Sequence, residues 1–194
     1  HIYVFSTIAL QKILNQFDLI IFDIENTKTH GGSNRYFIKK KKNNSYKISN
    51  QVKKNIMLEK KGGLNKFSTY KKFAKKVEKS RSQLKQIFNQ LKIKNKKIIG
   101  YGATAKSCTV LNYCKINSND IKFFYDTTSF KINKYLPGSK IKIKKYKKLS
   151  RNDADYVFLG AWNFKDEIFK KEKNFLKRGG KFITHVPKVM TLLK

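Results

Sequence analysis

The sequence predicts an α/β protein: a mostly parallel sheet with helices on both faces, preceded by a small α+β segment and a long linking helix. Three observations carry this expectation. From Lys96 onward, short apolar runs of strand length alternate with helical patterns, which is how a parallel sheet with right-handed crossovers is built. Just upstream, Tyr70, Phe73, Val77, Leu84, Ile87, Phe88 and Leu91 form one apolar stripe at helical spacing, with lysines on the opposite face. Before that stripe, the chain mixes helix and strand patterns on a smaller scale. We therefore divide the chain into an N-terminal α+β segment, 1–66, and a sheet domain, 67–194.

The elements follow in order. Ser6 is a helix cap, and Ile8, Leu10, Ile13, Leu14 and Phe17 give Thr7–Gln16 an amphipathic face. Leu19–Glu25 reads as a buried strand, Thr29–Ser33 as a turn and Arg35–Ile38 as a second strand. Lys39–Tyr46 is basic, polar and low in complexity, so an exposed loop is expected. Ile48–Glu59 is helical until Gly62-Gly63 breaks it, and Ser68 caps the long helix that runs to about Leu91. The sheet domain then reads as strand Ile98–Tyr101, helix Ala105–Tyr113 and strand Ile121–Tyr125. An extended stretch Lys140–Ile143 follows Pro137-Gly138, and after it come strand Tyr156–Leu159, one helix Lys165–Arg178 and strand Lys181–His185.

Composition narrows the function classes. The chain has 194 residues, 40% of them hydrophobic, enough for one sizeable core with a small appended subdomain. No apolar run reaches the roughly 18 residues of a membrane span, so no membrane partner is expected. Neither is a signal peptide evident. Lys and Arg total 45 against 12 Asp and Glu, a net charge of +33. Such a field attracts polyanions, yet the only arginines are Arg35, Arg81, Arg151 and Arg178. Readers of nucleic acid favour arginine for bidentate contacts. The lysine excess, together with abundant Asn and Ile, matches AT-rich coding on solvated faces, and nucleic acid is not expected as a partner. Cys108 and Cys114 fall on different faces of one helix and are read as free thiols of a reducing, cytoplasmic compartment. No metal-ligand cluster is evident. The first residue is His1 rather than Met, and upstream sequence is expected.

The residues most suggestive of chemistry lie in the first strand-to-helix turn of the sheet domain: Gly100, Tyr101, Gly102, Ala103, Thr104, Ala105, Lys106, Ser107. Small residues let a backbone approach a phosphate, and the helix N-terminus that follows offers N–H groups and a positive dipole end. Thr104 and Ser107 add hydroxyls and Lys106 a charge. Ala105 replaces the third glycine of the dinucleotide fingerprint, so the same residues also describe a tight turn with no ligand. Asp126 ends the next strand, near the roughly 20-residue offset at which an acid meets a ribose hydroxyl; a strand-end turn former is the other reading. Trp162 and Asn163 follow a strand at its C-terminal end, where open sheets bind ligands. They either stack on and hydrogen-bond a base or sugar, or belong to the core. His30-Gly31-Gly32-Ser33 is either a glycine turn or a loop reaching a pyrophosphate or sugar, with Arg35 nearby as a phosphate partner. His185, at a strand end, is read as structural.

In order, the chain carries His1-Ile2-Tyr3-Val4-Phe5-Ser6, then His30-Gly31-Gly32-Ser33, then Gly100 to Lys106. Val110-Leu111-Asn112-Tyr113-Cys114, Tyr125-Asp126, Lys131, Tyr135-Leu136-Pro137-Gly138 and Ile141-Lys142-Ile143 follow. Last come Ala154 to Leu159, Ala161-Trp162-Asn163-Phe164, Glu167-Ile168 and Gly179 to Ile183. This ordered set resembles the C-terminal domain of S-adenosylmethionine-dependent C-methyltransferases, the family that methylates C3 of nucleotide-linked 4-keto-deoxysugars. The resemblance implies a Rossmann-like domain holding a nucleoside-diphosphate sugar, with Asn112 among the substrate-binding residues. It also implies an upstream methyl-donor domain that binds S-adenosylmethionine, and a zinc-binding segment in the parent protein alone. His1 matches the histidine of the family's Glu-His pair, implicated as the base that removes the proton beside the keto group. The glycine turn then faces the sugar nucleotide rather than the methyl donor. Two other readings are kept: a stand-alone nucleotide-binding module, and, less favoured, a basic nucleic-acid-binding protein.

Overall fold

The computed structural model describes residues 3–29, 32–186 and 188–192. His1, His30 and Gly31 lie outside the described residues. The chain divides into two compact units, 1–75 and 76–194, and each is described by itself.

In the first unit, α1 (Thr7–Asn15) precedes a hairpin of β1 (Leu19–Thr27) and β2 (Ser33–Lys40), and α2 (Asn50–Lys61) follows. Their core is Leu14, Ile21, Ile24 and Val52. Ser6 caps α1 as expected, accepting from the Ala9 N–H. Two further orphan N–H groups of that helix, on Thr7 and Ile8, donate to the two carboxylate oxygens of Glu59 at 2.7 and 2.9 Å. The first turn of α1 holds no acid of its own, so α2 supplies the negative charge that its dipole favours. Ser49 caps α2.

α3 (Phe67–Ile93) runs across the boundary between the units. The second unit holds β3 (Ile98–Tyr101), α4 (Ala105–Cys114), β4 (Phe124–Asp126), β5 (Ile143–Lys145), β6 (Tyr156–Leu159), α5 (Lys165–Lys171), α6 (Lys173–Lys177), β7 (Lys181–Thr184) and β8 (Met190–Leu192). They form one six-stranded sheet in the order β5-β4-β3-β6-β7-β8. All neighbouring pairs are parallel except β7 with β8. Alternate strand residues serve the two faces. Ile98, Phe124, Phe158 and Ile183 pack with Leu84, Phe88 and Leu91 of α3 and Leu111 of α4. Ile99, Tyr101, Tyr125, Val157, Leu159 and Phe182 pack with Ile168, Phe175 and Leu176 of α5 and α6. This is the Rossmann-like arrangement: helices on both faces, and a chain that builds outward from β3 to β5, then crosses to β6 on the other side.

Several features differ from the sequence expectation. Ser68 lies inside α3, which begins at Phe67, and so does not cap it. β2 runs to Lys40, into the stretch expected as a loop, because Lys39 and Lys40 still pair with Ile20 and Leu19. The strand expected over Ile121–Tyr125 is the shorter Phe124–Asp126. β8 adds an antiparallel edge strand that the pattern does not announce. The single helix expected over Lys165–Arg178 is two, broken at Glu172, whose backbone leaves helical values at φ −100°. The physical reason is that Glu172 turns inward. Its side chain is buried, and its oxygens accept from the Tyr146 hydroxyl at 2.7 Å, the Leu149 N–H at 3.0 Å and, at 3.4 Å, the Tyr101 hydroxyl. Replacing Glu172 by Ala strands these donors in the core. The expected cost is about 3 kcal/mol of stability, read from the urea midpoint.

His185 follows β7, with its ring stacked on Phe158 at 5.5 Å and 14°. Burial lowers its pKa from 6.5 to about 4. The fold therefore favours the neutral ring, and the unfolded chain takes the proton first. The stabilisation is complete above about pH 6.5 and is lost progressively as the pH falls toward 4. Thermal melting followed across that range is expected to lose this slope in a His185→Leu variant.

Candidate functional site

The strand order reverses between β3 and β6, and open sheets bind ligands outside the strand C-termini at such a point. The chain builds this crevice from two turns. After β3, Gly102 adopts φ +82°, which lets the chain leave the strand sharply. After β6, Gly160 and Ala161 lie against it: a side chain on Gly160 would strike the Gly102 carbonyl. The Gly160 N–H donates to Tyr101 O at 2.9 Å and the Thr104 hydroxyl to Gly160 O at 3.2 Å.

A cavity of about 340 Å³ opens beside these turns. One wall is polar: Gly102, Thr104, Asp126, Thr128 and Lys131. The other is mainly aromatic and apolar: Tyr101, Tyr146, Phe164 and Ile168, with Lys171 and Glu167 at its edge. The Lys171 ammonium lies 3.8 Å from the centre of the Tyr146 ring. Burial and the neighbouring Glu172 carboxylate push the Tyr146 hydroxyl up to about 12 and raise Tyr101 as well, so both phenols stay protonated near neutral pH and donate to Glu172.

Asp126 is the buried acid of the polar wall. Its oxygens accept from the Ala103 N–H at 2.7 Å and the Thr128 N–H at 2.8 Å. The Lys131 ammonium lies 3.7 Å away. Burial acts to raise its pKa, but the hydrogen bonds from Thr128 and Ala103 and the charge on Lys131 outweigh it and hold the carboxyl below the ordinary value of 3.8. Its stabilising effect is thus present above that value and is lost as the pH falls through the lowered pKa. Asp126→Asn is expected to flatten the acid limb of the melting curve below about pH 4.

The expected site residues divide. Gly102, Thr104 and Asp126 meet at the cavity, and Tyr101 lines its other wall. Gly100 lies in the β3 core, where a Cβ would strike the Phe124 ring. Ala103 is buried, with its N–H held by Asp126. Ser107 is buried too, in a capping box with Thr104. Asn112 donates to Pro137 O at 3.1 Å and packs on the Pro137-Gly138 turn, away from the cavity lining. The Lys106 ammonium lies 5.0 Å from the centre of the Trp162 ring; neither borders the cavity, and Trp162 packs against the core beneath α5. Asn163 is exposed beside it. In the first unit, Gly32 and Ser33 bond back to Thr29 O, and Arg35 pairs with Glu25 at 2.7 Å on the surface. Sequence reasoning missed Thr128, Lys131, Tyr146 and Phe164 as cavity residues. The rule that ligands gather beyond strand C-termini, applied to the segment after β4, would have found Thr128 and Lys131.

Comparison with known proteins decides the family. The C-methyltransferase C-terminal domain family matches residues 28–187. This chain belongs to that family. It is also 31% identical over 187 residues to C-methyltransferase NovU of Streptomyces niveus, covering 96% of this chain and 44% of that protein. The C-methyltransferase domain described here thus spans less than half the length of that curated relative. Among the described residues, no cluster of three or more His, Cys, Asp or Glu gathers to hold a metal, and no helix is long and apolar enough to cross a membrane.

Proposed function

We propose that this chain is the substrate-holding part of an S-adenosylmethionine-dependent C-methyltransferase acting on a nucleoside-diphosphate 4-keto-deoxysugar, with His1 as the general base. The observation that carries the reading is the cavity at the β3/β6 reversal, polar on one wall and aromatic on the other. That division suits a ligand with an anionic centre flanked by rings. The chemistry asked of His1 is removal of the proton beside the keto group. A C–H next to a carbonyl is acidic enough for imidazole in a shielded site, and the electron pair left behind makes that carbon a nucleophile.

The residues of this cavity do not fit S-adenosylmethionine. Two lysines, Lys131 and Lys171, line it and would repel a sulfonium, and the buried Asp126 carboxylate is already held by the Ala103 and Thr128 N–H groups and faced by Lys131. We assign the methyl donor to an upstream domain and zinc to the parent protein outside this chain. Calorimetric titration of the full-length protein with a nucleoside-diphosphate 4-keto-sugar is expected to give saturable one-to-one binding. No binding overturns the reading. Binding of duplex DNA that persists at about 0.15 M salt would favour a nucleic-acid function instead.

A further inference from the structure

The glycine turn is expected to cradle phosphate through its backbone, yet its donors are largely spent inside the turn. The Gly102 N–H donates to Tyr125 O at 2.8 Å. Ala103 donates to Asp126 at 2.7 Å, and Thr104 to the Ser107 hydroxyl at 2.8 Å. The Thr104 hydroxyl accepts from the Ser107 N–H at 3.1 Å and faces Gly160 O at 3.2 Å. The side chain expected to add charge, Lys106, sits on the Trp162 ring. The next two residues, Ala105 and Lys106, do not line the cavity, so an anion seated there calls for a further cation.

Lys131 has the required geometry. It follows β4 in a 3-10 turn, Ser129–Lys131, and lines the polar wall. Its ammonium donates to Ala103 O at 3.0 Å. Its separation from Asp126, 3.7 Å, is an ion-pair distance beyond hydrogen-bond length. Of three ammonium protons, one is committed and two remain. The cavity meets the cation rather than the acid, because the Lys131 side chain is 30% exposed and that of Asp126 only 7%. Lys171, the other cavity lysine, lies 3.8 Å from the Tyr146 ring centre, whereas Lys131 is the one hydrogen-bonded to the glycine turn.

We infer that Lys131 is the cation that binds the diphosphate of the substrate, and that it ties the bound anion to the glycine turn through Ala103. This rests on reading the cavity as a sugar-nucleotide site. The Ala103 peptide is gripped at both ends, its N–H by Asp126 and its carbonyl by Lys131. The turn's position thereby depends on the lysine that holds the ligand.

The test uses the full-length protein at about 0.15 M salt, where the Debye length is about 8 Å and the general basic field is screened. The probes are thymidine and uridine diphosphate-hexoses, the bare nucleosides and inorganic pyrophosphate. Lys131→Gln keeps an N–H donor for Ala103 O while removing the charge, and Lys131→Met removes both. Both variants are expected to bind the diphosphate-hexose about thirtyfold more weakly while binding the nucleoside unchanged. Lys106→Met, which removes a lysine that does not border the cavity, should change either affinity less than about threefold. A Lys131→Gln protein that binds the diphosphate-hexose as tightly as wild type overturns the inference and leaves the sugar-nucleotide reading standing. Pyrophosphate binding that depends on Lys131, with no binding of any nucleotide sugar, upholds the lysine and overturns the substrate. If the wild type binds neither probe, both fall.

Discussion

Replacing His1 by Asn in the full-length protein is expected to lower methyl transfer by a factor of about 10² to 10⁴ while leaving nucleotide-sugar affinity within about twofold. The two halves of that result separate chemistry from binding. Asn is close in size to His and forms hydrogen bonds, but it accepts no proton near neutral pH. The proposed work of His1 is to take a proton from carbon, for which imidazole has the right basicity near neutrality. The binding groups of the proposed site belong to the sheet domain, around Gly102 and Lys131, and not to residue 1. Initial rates and calorimetry on the same preparation check the prediction. Turnover that survives in His1→Asn places the base elsewhere.

Gly102→Ala is expected to cost about 3 kcal/mol of stability and to abolish ligand binding, whereas Gly179→Ala should cost only about 1 kcal/mol. The two glycines share a left-handed backbone, φ +82° and +80°, so both variants pay the same conformational strain. They differ in their surroundings. A Cβ on Gly179 meets nothing within 4 Å, but one on Gly102 lies 2.5 Å from the Ala161 Cβ and 3.0 Å from its nitrogen. The excess cost at Gly102 therefore measures the contact between the turns after β3 and β6. Separating those turns displaces Thr104 from Gly160 and reshapes the cavity. Urea unfolding of both variants, with ligand titration, reads the strain and the contact apart.

Much of this architecture was legible in the amino-acid order. The apolar runs Ile98–Tyr101 and Tyr156–Leu159 are strands with those bounds, because fully buried parallel strands leave continuous apolar runs between turn residues. Thr104 and Asp126 reach the cavity because the ends of parallel strands converge there. Other features are written only in three dimensions. Glu172 sits within an unbroken helical pattern, and nothing local marks it as a buried carboxylate; its partners Tyr146 and Leu149 are distant in sequence. Ser107 and Asn112 have the composition of ligand contacts, but the fold commits them to a capping box and to the Pro137 carbonyl. Lys131 stands in the ordered motif set, but nothing in the sequence assigns it a role among 45 basic residues. Only its placement after β4, against Ala103 and Asp126, distinguishes it from the lysines of the solvated surface.

The most direct measurement incubates the full-length protein with methyl-labelled S-adenosylmethionine and a nucleoside-diphosphate 4-keto-deoxysugar, then locates the label in the product by carbon NMR. The prediction is a methyl group bonded to the sugar carbon beside the keto group, formed only when His1 is present. A label on oxygen or on the base, or no transfer to a sugar nucleotide that the protein binds, would contradict it.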